Sequence, residues 1–195
     1  MPLGRPREFD TEKALDRAME VFWGKGYEGA SLSDLTKAMG ITRPSLYAAF
    51  GNKESLFLAA LDRYAEGPAH YYGEALAAPT ARAVVERLLS GNVELNAGPH
   101  NPGGCLIVHG ALACSDASAP IRKALSARRA RGEAAIRERF ERAKAEGDLP
   151  ADCDPAALAR FVTTVIYGIA VQAAGGATRA QLRKVAETAL RVWPT

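Results

Sequence analysis

The 195-residue sequence has few of the features that mark secreted, membrane or metal-binding proteins. Its three cysteines, at positions 105, 114 and 153, are odd in number and match no zinc spacing, so we expect a reduced protein without a disulfide framework. No stretch approaches the roughly 18 uncharged apolar residues of a membrane span, and the first ten residues contain no signal-peptide core. We therefore expect a cytoplasmic protein with no membrane partner, metal or cofactor.

The net charge is only +3, too small for composition alone to indicate a nucleic-acid binder. Residues 122–144 carry nine Lys/Arg and three Asp/Glu, whereas residues 1–66 carry nine and ten. Any DNA affinity of the N-terminal part must therefore come from the placement of its cations. The basic stretch is interpreted as the solvated face of a long helix over 121–146, and a second DNA contact is the alternative.

The most informative stretch is residues 31–53, whose pattern predicts two short helices joined by a tight turn. Ser31 is followed three residues later by Asp34, a shorter relative of the capping box, which predicts a helix start. Gly40 is placed to end that helix, because glycine readily adopts the left-handed conformation of a helix C-terminus. Thr42 is then a natural N-cap for the second helix.

The second helix has an apolar side and an unusual outer side. Leu46 and Phe50 lie four residues apart and are expected to be buried together. The outer side then presents a cation, a hydroxyl, a phenol and a small residue, which is typical of a helix that enters a DNA groove. An ordinary helical hairpin in an all-helical domain remains the alternative. The outer residues are Arg43, Ser45, Tyr47 and Ala48.

The same stretch carries a recognisable motif. It reads T-x-x-x-L-Y-x-x-F-x-x-K-E-x-L and consists of Thr42, Leu46, Tyr47, Phe50, Lys53, Glu54 and Leu56. This motif resembles the signature of the tetracycline-repressor (TetR) family, and the upstream residues Ala18, Phe22, Gly26, Tyr27, Ser31, Gly40 and Ile41 agree. The resemblance is specific over about residues 8–62.

The resemblance implies an all-α fold in two domains and a protein that is not an enzyme. Residues 1–66 would form a three-helix helix-turn-helix DNA-binding domain with an N-terminal arm and a linking helix. Residues 67–195 would form a helical ligand-binding and dimerisation domain, with the boundary at Gly67-Pro68. The implied DNA-binding residues are Arg5, Arg7, Ser31, Thr42, Arg43, Pro44, Ser45, Tyr47 and Lys53.

Two of these assignments have a physical basis of their own. Arg5 and Arg7 flank a proline in an extended segment that suits the narrow minor groove, although a disordered tail with incidental charge explains them equally well. Lys53 lies in the first turn of a helix, where the helix dipole disfavours a cation. A bound phosphate would remove that conflict, so we predict a phosphate contact.

The last two predicted helices, over 155–174 and 178–193, are apolar on more than one side. A helix with two apolar faces needs a second partner besides its own core. We therefore predict a homodimer built on residues 155–193, with Ile166 and Leu182 at the interface. A single buried helix in a monomer is the alternative.

Cys105 and His109 lie one turn apart in a predicted helix over 105–114, so they share a face. A thiol at a helix start beside a protonated imidazole would be reactive, which makes the pair a candidate ligand or redox sensor. A buried cysteine and a satisfied histidine are the simpler interpretation. No oxyanion site accompanies the pair, so catalysis is not indicated.

The sequence thus predicts a homodimeric transcriptional repressor that binds double-stranded operator DNA. A small-molecule or electrophile inducer would release it by changing the spacing of the two recognition helices. The alternative is a small-molecule-binding or thiol-active helical protein that does not engage DNA.

Overall fold

The computed structural model describes residues 9–98, 101–110 and 118–194, and all regular secondary structure within those ranges is helical. The expected all-α fold is confirmed. The ten helices of the described ranges are α1 (Thr11–Gly29), α2 (Leu32–Met39), α3 (Arg43–Phe50), α4 (Lys53–Glu66), α5 (Tyr71–Leu76), α6 (Ala81–Ala97), α7 (Leu106–His109), α8 (Ala119–Ala145), α9 (Pro155–Ala174) and α10 (Arg179–Arg191).

Local capping chemistry sets the ends of the first helices, as the sequence predicts. Ser31 and Asp34 form a reciprocal capping box at the start of α2. Gly40 ends that helix in the left-handed region with φ 68°, and Thr42 caps α3 by accepting the Ser45 N–H. Helix α1 begins after Asp10, which caps it by accepting the Lys13 N–H, and its regular backbone is interrupted at Gly26.

An aromatic cluster forms the core beneath α2 and α3. The Phe22 and Phe57 rings meet edge to face with centroids 4.9 Å apart, and Trp23 and Tyr64 do so at the same distance. The same apolar cluster includes four buried side chains from beyond residue 66. These are Leu95, Leu106, Ile121 and Leu125, which join the helix-turn-helix directly to α6, α7 and α8.

A second core is built from α6, α8, α9 and α10, with the Phe140 and Trp193 rings 5.2 Å apart. Arg139 of α8 is buried there and donates to the carbonyl oxygens of Ala78 and Pro79, each at 3.0 Å. One of the cations assigned to a solvated face is therefore a buried structural residue, because two backbone acceptors satisfy part of its guanidinium.

Three elements differ from the sequence-based expectation. Helix α5 was not predicted, because its six residues are too few for a clear period. The helix expected over 105–114 is found only as α7, and residues 111–117 lie outside the described ranges. Helix α8 begins at Ala119 rather than Ile121, with Pro120 in its first turn, where proline costs no hydrogen bond.

Helix α9 is the only helix in the described ranges that is long and apolar enough to cross a membrane by length and composition. The core helix of a soluble protein passes the same test. One face of α9 contributes Val162, Ile166 and Ile169 to the second core, and this packing accounts for part of its apolar character.

Candidate nucleic-acid interface and ligand cavity

The side chain of Leu46 fixes the orientation of α3. Leu46 is fully buried, whereas Tyr47, one residue later, is 46% exposed. Thr42, Arg43 and Pro44 are exposed at the start of the helix, and the Thr42 and Ser45 hydroxyls are 2.9 Å apart. The outward side of α3 therefore carries a guanidinium, two hydroxyls and a phenol in two turns, which suits base-edge and phosphate contacts.

Ser31 is exposed, but its side chain is already engaged. Its hydroxyl donates to Asp34 Oδ2 at 2.7 Å, and Lys25 Nζ lies 2.8 Å from Asp34 Oδ1. The hydrogen bonds from Lys25 and Ser31 lower the pKa of Asp34 to about 2. Ser31 therefore stabilises the start of α2, and its role toward DNA stays a prediction.

Lys53 occupies the first turn of α4 and packs on the aromatic cluster. Its Nζ lies 4.6 Å from the centroid of the Tyr27 ring, a cation–π distance. This contact supplies an electrostatic reason for a cation at a helix N-terminus that the sequence alone does not reveal. The predicted phosphate contact remains a prediction, and the predicted Arg5 and Arg7 contacts lie outside the described residues.

A cavity of about 540 Å³ lies between the helix-turn-helix and the second core. Its volume is typical of a small-molecule site. Four tyrosine rings form much of its wall. Burial raises the pKa of each tyrosine hydroxyl, that of Tyr167 to about 12. The phenols therefore stay neutral near pH 7. The four tyrosines are Tyr64, Tyr71, Tyr72 and Tyr167.

Cys105 lines this cavity, but its neighbours differ from those predicted. The Tyr64 hydroxyl donates to Cys105 Sγ at 3.4 Å. His109 instead uses its Nδ1 to accept the backbone N–H of Cys105 at 3.2 Å, and burial lowers the pKa of His109. An imidazole that accepts at Nδ1 is neutral, so the expectation of a protonated His109 beside the thiol is wrong. Tyr64 is the donor that faces the sulfur.

The loop that carries Cys105 is attached to the first helix of the helix-turn-helix. Trp23 Nε1 donates to the carbonyl oxygen of Gly104 at 2.6 Å. The backbone N–H of Tyr27 donates to the carbonyl oxygen of Gly110 at 2.9 Å. Gly104 has φ +77°, and an added Cβ would lie 2.6 Å from His109 Nδ1, so only glycine fits there. A displacement at Cys105 would therefore reach α1 directly.

An exposed apolar face runs along α9 and α10. It includes Phe161, Val171, Val185 and Val192, the last of them 67% exposed. Ile166 and Leu182, which we expected at a dimer interface, are buried in the chain's own core. That assignment is wrong because the apolar pattern covers two faces of each helix, and the sequence does not say which face turns inward.

Comparison with known proteins identifies the family. The family model for bacterial regulatory proteins of the tetR family matches residues 14–60, and that for the tetracyclin repressor-like C-terminal domain matches residues 81–192. The chain belongs to the TetR family. It is a helix-turn-helix transcriptional regulator rather than an enzyme, and the sequence-based resemblance is confirmed.

Individual relatives agree with the TetR assignment over nearly the full chain. The transcriptional repressor ComR of Escherichia coli K12 is 36% identical over 196 residues, covering 98% of this chain and 92% of ComR. The transcriptional regulator YezE of Bacillus subtilis 168 is 35% identical, covering 82% and 84%. A cysteine mutant of the TetR-family regulator CifR, solved with 26-base-pair operator DNA, is 49% identical with a TM-score of 0.93, covering 97% of this chain and 100% of that chain.

Several cavity residues of this TetR-family chain escaped the sequence analysis. Asn92 lies on the apolar side of α6 and is 1% exposed, and Tyr71 comes from the unpredicted helix α5. A polar residue within the apolar stripe of an amphipathic helix was the available signal for Asn92. Nothing in the local sequence indicates that Tyr64, at the end of the DNA-binding segment, faces the cavity.

Proposed function

We propose that the protein is a homodimeric, cytoplasmic repressor that binds double-stranded operator DNA and is released when an inducer occupies the cavity. The observation that carries this proposal is the outward side of α3, which buried Leu46 orients and which presents Arg43 and Tyr47. The names of the relatives support it, since ComR is a repressor and CifR was solved on operator DNA. The division into a DNA-binding domain over 1–66 and a ligand-binding domain over 67–195 belongs to this proposal.

In this proposal α3 enters the major groove. Arg43 and Tyr47 contact base edges or the flanking phosphates, while Thr42, Pro44 and Ser45 form the first turn against the backbone. Lys53 contributes a phosphate contact at the start of α4. Ser31 adds a contact from the start of α2, and the N-terminal arm with Arg5 and Arg7 follows the minor groove.

The exposed face of α9 and α10 is the proposed dimer interface. Phe161, Val185 and Val192 line a groove between these two helices. An apolar groove of this kind is covered when the same two helices of a second copy pack against it about a two-fold axis. The dimer then holds two recognition helices at the spacing of two operator half-sites.

Cys105 gives the cavity a second way to sense a molecule, by covalent reaction. The thiol loses its proton, and its sulfur forms a bond to an electrophilic carbon, as in addition across an activated C=C bond, where the adjacent carbon takes up a proton. The Tyr64 hydroxyl at 3.4 Å stabilises negative charge on that sulfur. His109 has no direct part in this step, because its Nδ1 faces the backbone of Cys105.

Release of DNA follows from where the adduct would lie. Cys105 is beside Tyr64 of α4, and the neighbouring Gly104 carbonyl holds Trp23 of α1. An adduct on the sulfur displaces the hydrogen bond from Tyr64 and occupies the cavity beside it, so we expect Tyr64, the loop or both to shift. Both partners belong to the helix-turn-helix core, so this movement changes the position of α3 relative to its two-fold mate.

The test uses N-ethylmaleimide as the electrophile and a duplex selected from random double-stranded DNA. Wild-type protein should bind the selected duplex and lose it on alkylation, with Cys105 labelled before Cys114 and Cys153. Cys105→Ser should bind the duplex and resist the reagent, whereas Cys153→Ser should behave like wild type. Tyr64→Phe should slow labelling of Cys105. The sensing role is excluded if Cys105 reacts no faster than a free thiol and Cys105→Ser is released equally well.

The same experiment separates the proposed function from its alternative. If Cys105 is labelled rapidly but the protein binds the selected duplex no more tightly than a scrambled duplex, it is a thiol-active protein that does not engage DNA. A protein that binds the duplex specifically is a DNA-binding regulator whatever the labelling shows.

A further inference from the structure

The cavity has a small set of polar groups, and most of them already have partners. The Tyr72 hydroxyl donates to the Gly132 carbonyl oxygen at 3.0 Å, and the Tyr167 hydroxyl donates to the Arg129 carbonyl oxygen at 3.5 Å. The Tyr64 hydroxyl is directed to Cys105, and the Thr163 hydroxyl donates to carbonyl oxygens of its own helix. None of these groups needs a ligand to satisfy its proton.

Glu66, His70 and Arg131 line the cavity but are exposed, whereas the two half-buried arginines of its wall have partners. Arg128 pairs with Asp62 at 2.6 Å, and Arg129 donates to the Ile107 carbonyl oxygen at 2.9 Å. Arg128 is thus paired with a carboxylate, whereas Arg129 meets a backbone carbonyl. No Arg, Lys, Asp or Glu side chain contributes to the pKa shift of Tyr71, so the ligand group that reaches Tyr71 and Asn92 should be neutral, because a buried charge without a partner is costly.

One pair of polar groups is left with unused hydrogen-bonding capacity. Asn92 Nδ2 donates to the Tyr71 hydroxyl oxygen at 3.3 Å, while Asn92 Oδ1 is buried and has no partner among the described residues. Tyr71 accepts in this contact, so its own proton is still available to a ligand. An acceptor and a donor thus lie side by side in the cavity wall. Rotating the amide by 180° exchanges their roles and still leaves one donor and one acceptor.

The packing around Tyr71 shows that this pair is held in place. A side-chain carbon added at Gly91, the residue before Asn92, would collide with the Tyr71 ring. Glycine at this position lets the ring lie directly against the backbone of α6. Tyr71 is therefore positioned by α6 itself, and its hydroxyl stays in register with Asn92.

From this arrangement we propose that the cavity binds a mainly apolar molecule that carries one neutral hydroxyl or primary amide group. That group both donates and accepts, so it can pair with Asn92 and Tyr71 together, while the remainder of the molecule packs against the aromatic wall. The inference rests on the proposed function only in treating this cavity as the inducer site. It adds the chemical class of a non-covalent inducer, which the reactivity of Cys105 does not specify.

The test compares 2-naphthalenemethanol with its methyl ether, which has the same ring system but no hydrogen to donate. Isothermal titration calorimetry on the full-length wild-type protein should show the alcohol binding about tenfold tighter or more than the ether. Asn92→Leu and Tyr71→Phe should each reduce that preference to about threefold or less. Thr163→Val, which removes a hydroxyl already bonded to its own helix, should retain it.

The variants are chosen so that a folding defect does not decide the result. Asn92→Leu conserves much of the volume and removes an unpartnered buried oxygen, so it should not lower the unfolding midpoint. Tyr71→Phe removes one oxygen atom only. The proposal is overturned if wild type binds alcohol and ether equally, if the alcohol does not bind at all, or if both variants keep the full preference.

Failure of this proposal is distinguishable from failure of the proposed function. Operator binding and its loss on alkylation are measured on the same protein without the alcohol. If both occur while the alcohol shows no preference over the ether, only the ligand class is wrong. If the alcohol binds as expected but no duplex is bound specifically, the DNA-binding proposal fails and the ligand class stands.

Discussion

The bond between Trp23 and Gly104 is the most direct connection between the DNA-binding helices and the cavity loop. Trp23 is 6% exposed, and its indole N–H donates to the Gly104 carbonyl oxygen at 2.6 Å. Substituting Trp23→Phe keeps an aromatic ring against Tyr64 but removes the donor. The carbonyl oxygen then loses its partner in a buried position, so we expect both the stability and the attachment of the loop to suffer.

The expected loss of unfolding free energy in Trp23→Phe has two contributions. An acceptor left buried without a partner costs about 1–3 kcal/mol. Replacing indole by a phenyl ring removes some apolar burial, roughly 1 kcal/mol. The substitution should therefore lower the free energy of unfolding by about 2–4 kcal/mol, a large share of the stability of a typical domain.

Trp193→Phe is the matched control. Trp193 is 4% exposed and packs on Phe140, and its indole has no hydrogen-bond partner among the described residues. The Trp193→Phe variant should lose only the apolar burial that the smaller ring gives up, which lowers the free energy of unfolding by roughly 1 kcal/mol. Urea unfolding followed by circular dichroism measures both variants. If Trp23→Phe costs no more than Trp193→Phe, the buried bond to Gly104 does not hold the loop as we reason.

Three further predictions concern the dimer, pH and salt. Phe161→Lys should convert the dimer to monomers in sedimentation, while Lys184→Glu, at the polar edge of the same groove, should leave a dimer; a dimeric Phe161→Lys protein would exclude this face. The depressed pKa of Asp34 contributes stability that is complete above pH 3.8 and is lost as pH falls through about 2. The difference in urea midpoint between wild type and Asp34→Asn should therefore shrink over that range, and a constant difference would argue against the pairing. Lys53→Met should lower the salt slope of DNA binding by about one and weaken all duplexes alike, whereas loss confined to the selected duplex would indicate base contact.

Local chemistry made the N-terminal helices predictable from the sequence. Asp10, Ser31, Thr42 and Asn52 cap their helices through side-chain bonds to residues three positions later, and Gly40 ends α2. Such bonds depend on neighbours in the chain and so appear directly in the residue pattern. The motif in the same stretch pointed to the family, which the comparisons confirm.

The cavity was not predictable in the same way, because no single segment forms it. Tyr64, Tyr71, Asn92, Cys105 and Tyr167 come from four helices and a loop, and only the packed chain brings them together. The partner of Cys105 illustrates the limit. Spacing of four residues correctly placed His109 beside Cys105, but it could not show that the imidazole meets the backbone while a tyrosine 41 residues earlier meets the thiol.

The proposed dimer face shows a second limit of prediction from the sequence. Helices α9 and α10 are apolar on two faces, and hydrophobic periodicity does not distinguish the face that packs inside the chain from the one left for a partner. The pattern therefore predicts Ile166 and Leu182 as interface residues, yet both are buried within the chain. The exposed side chains of Phe161, Val171, Val185 and Val192 mark the face that does not pack inside the chain, and this face is the proposed dimer interface.

The central claim is that the outward side of α3 reads DNA sequence, and fluorescence anisotropy tests it most directly. A labelled duplex obtained by selection is compared with a scrambled duplex at one fixed salt concentration, for wild type, Tyr47→Ala and the control Arg82→Ala, whose arginine lies on α6. Wild type and Arg82→Ala should bind the selected duplex about 10³-fold tighter or more, and Tyr47→Ala should lose most of that preference. Equal binding of both duplexes by the wild type, or full preference retained by Tyr47→Ala, would contradict the account.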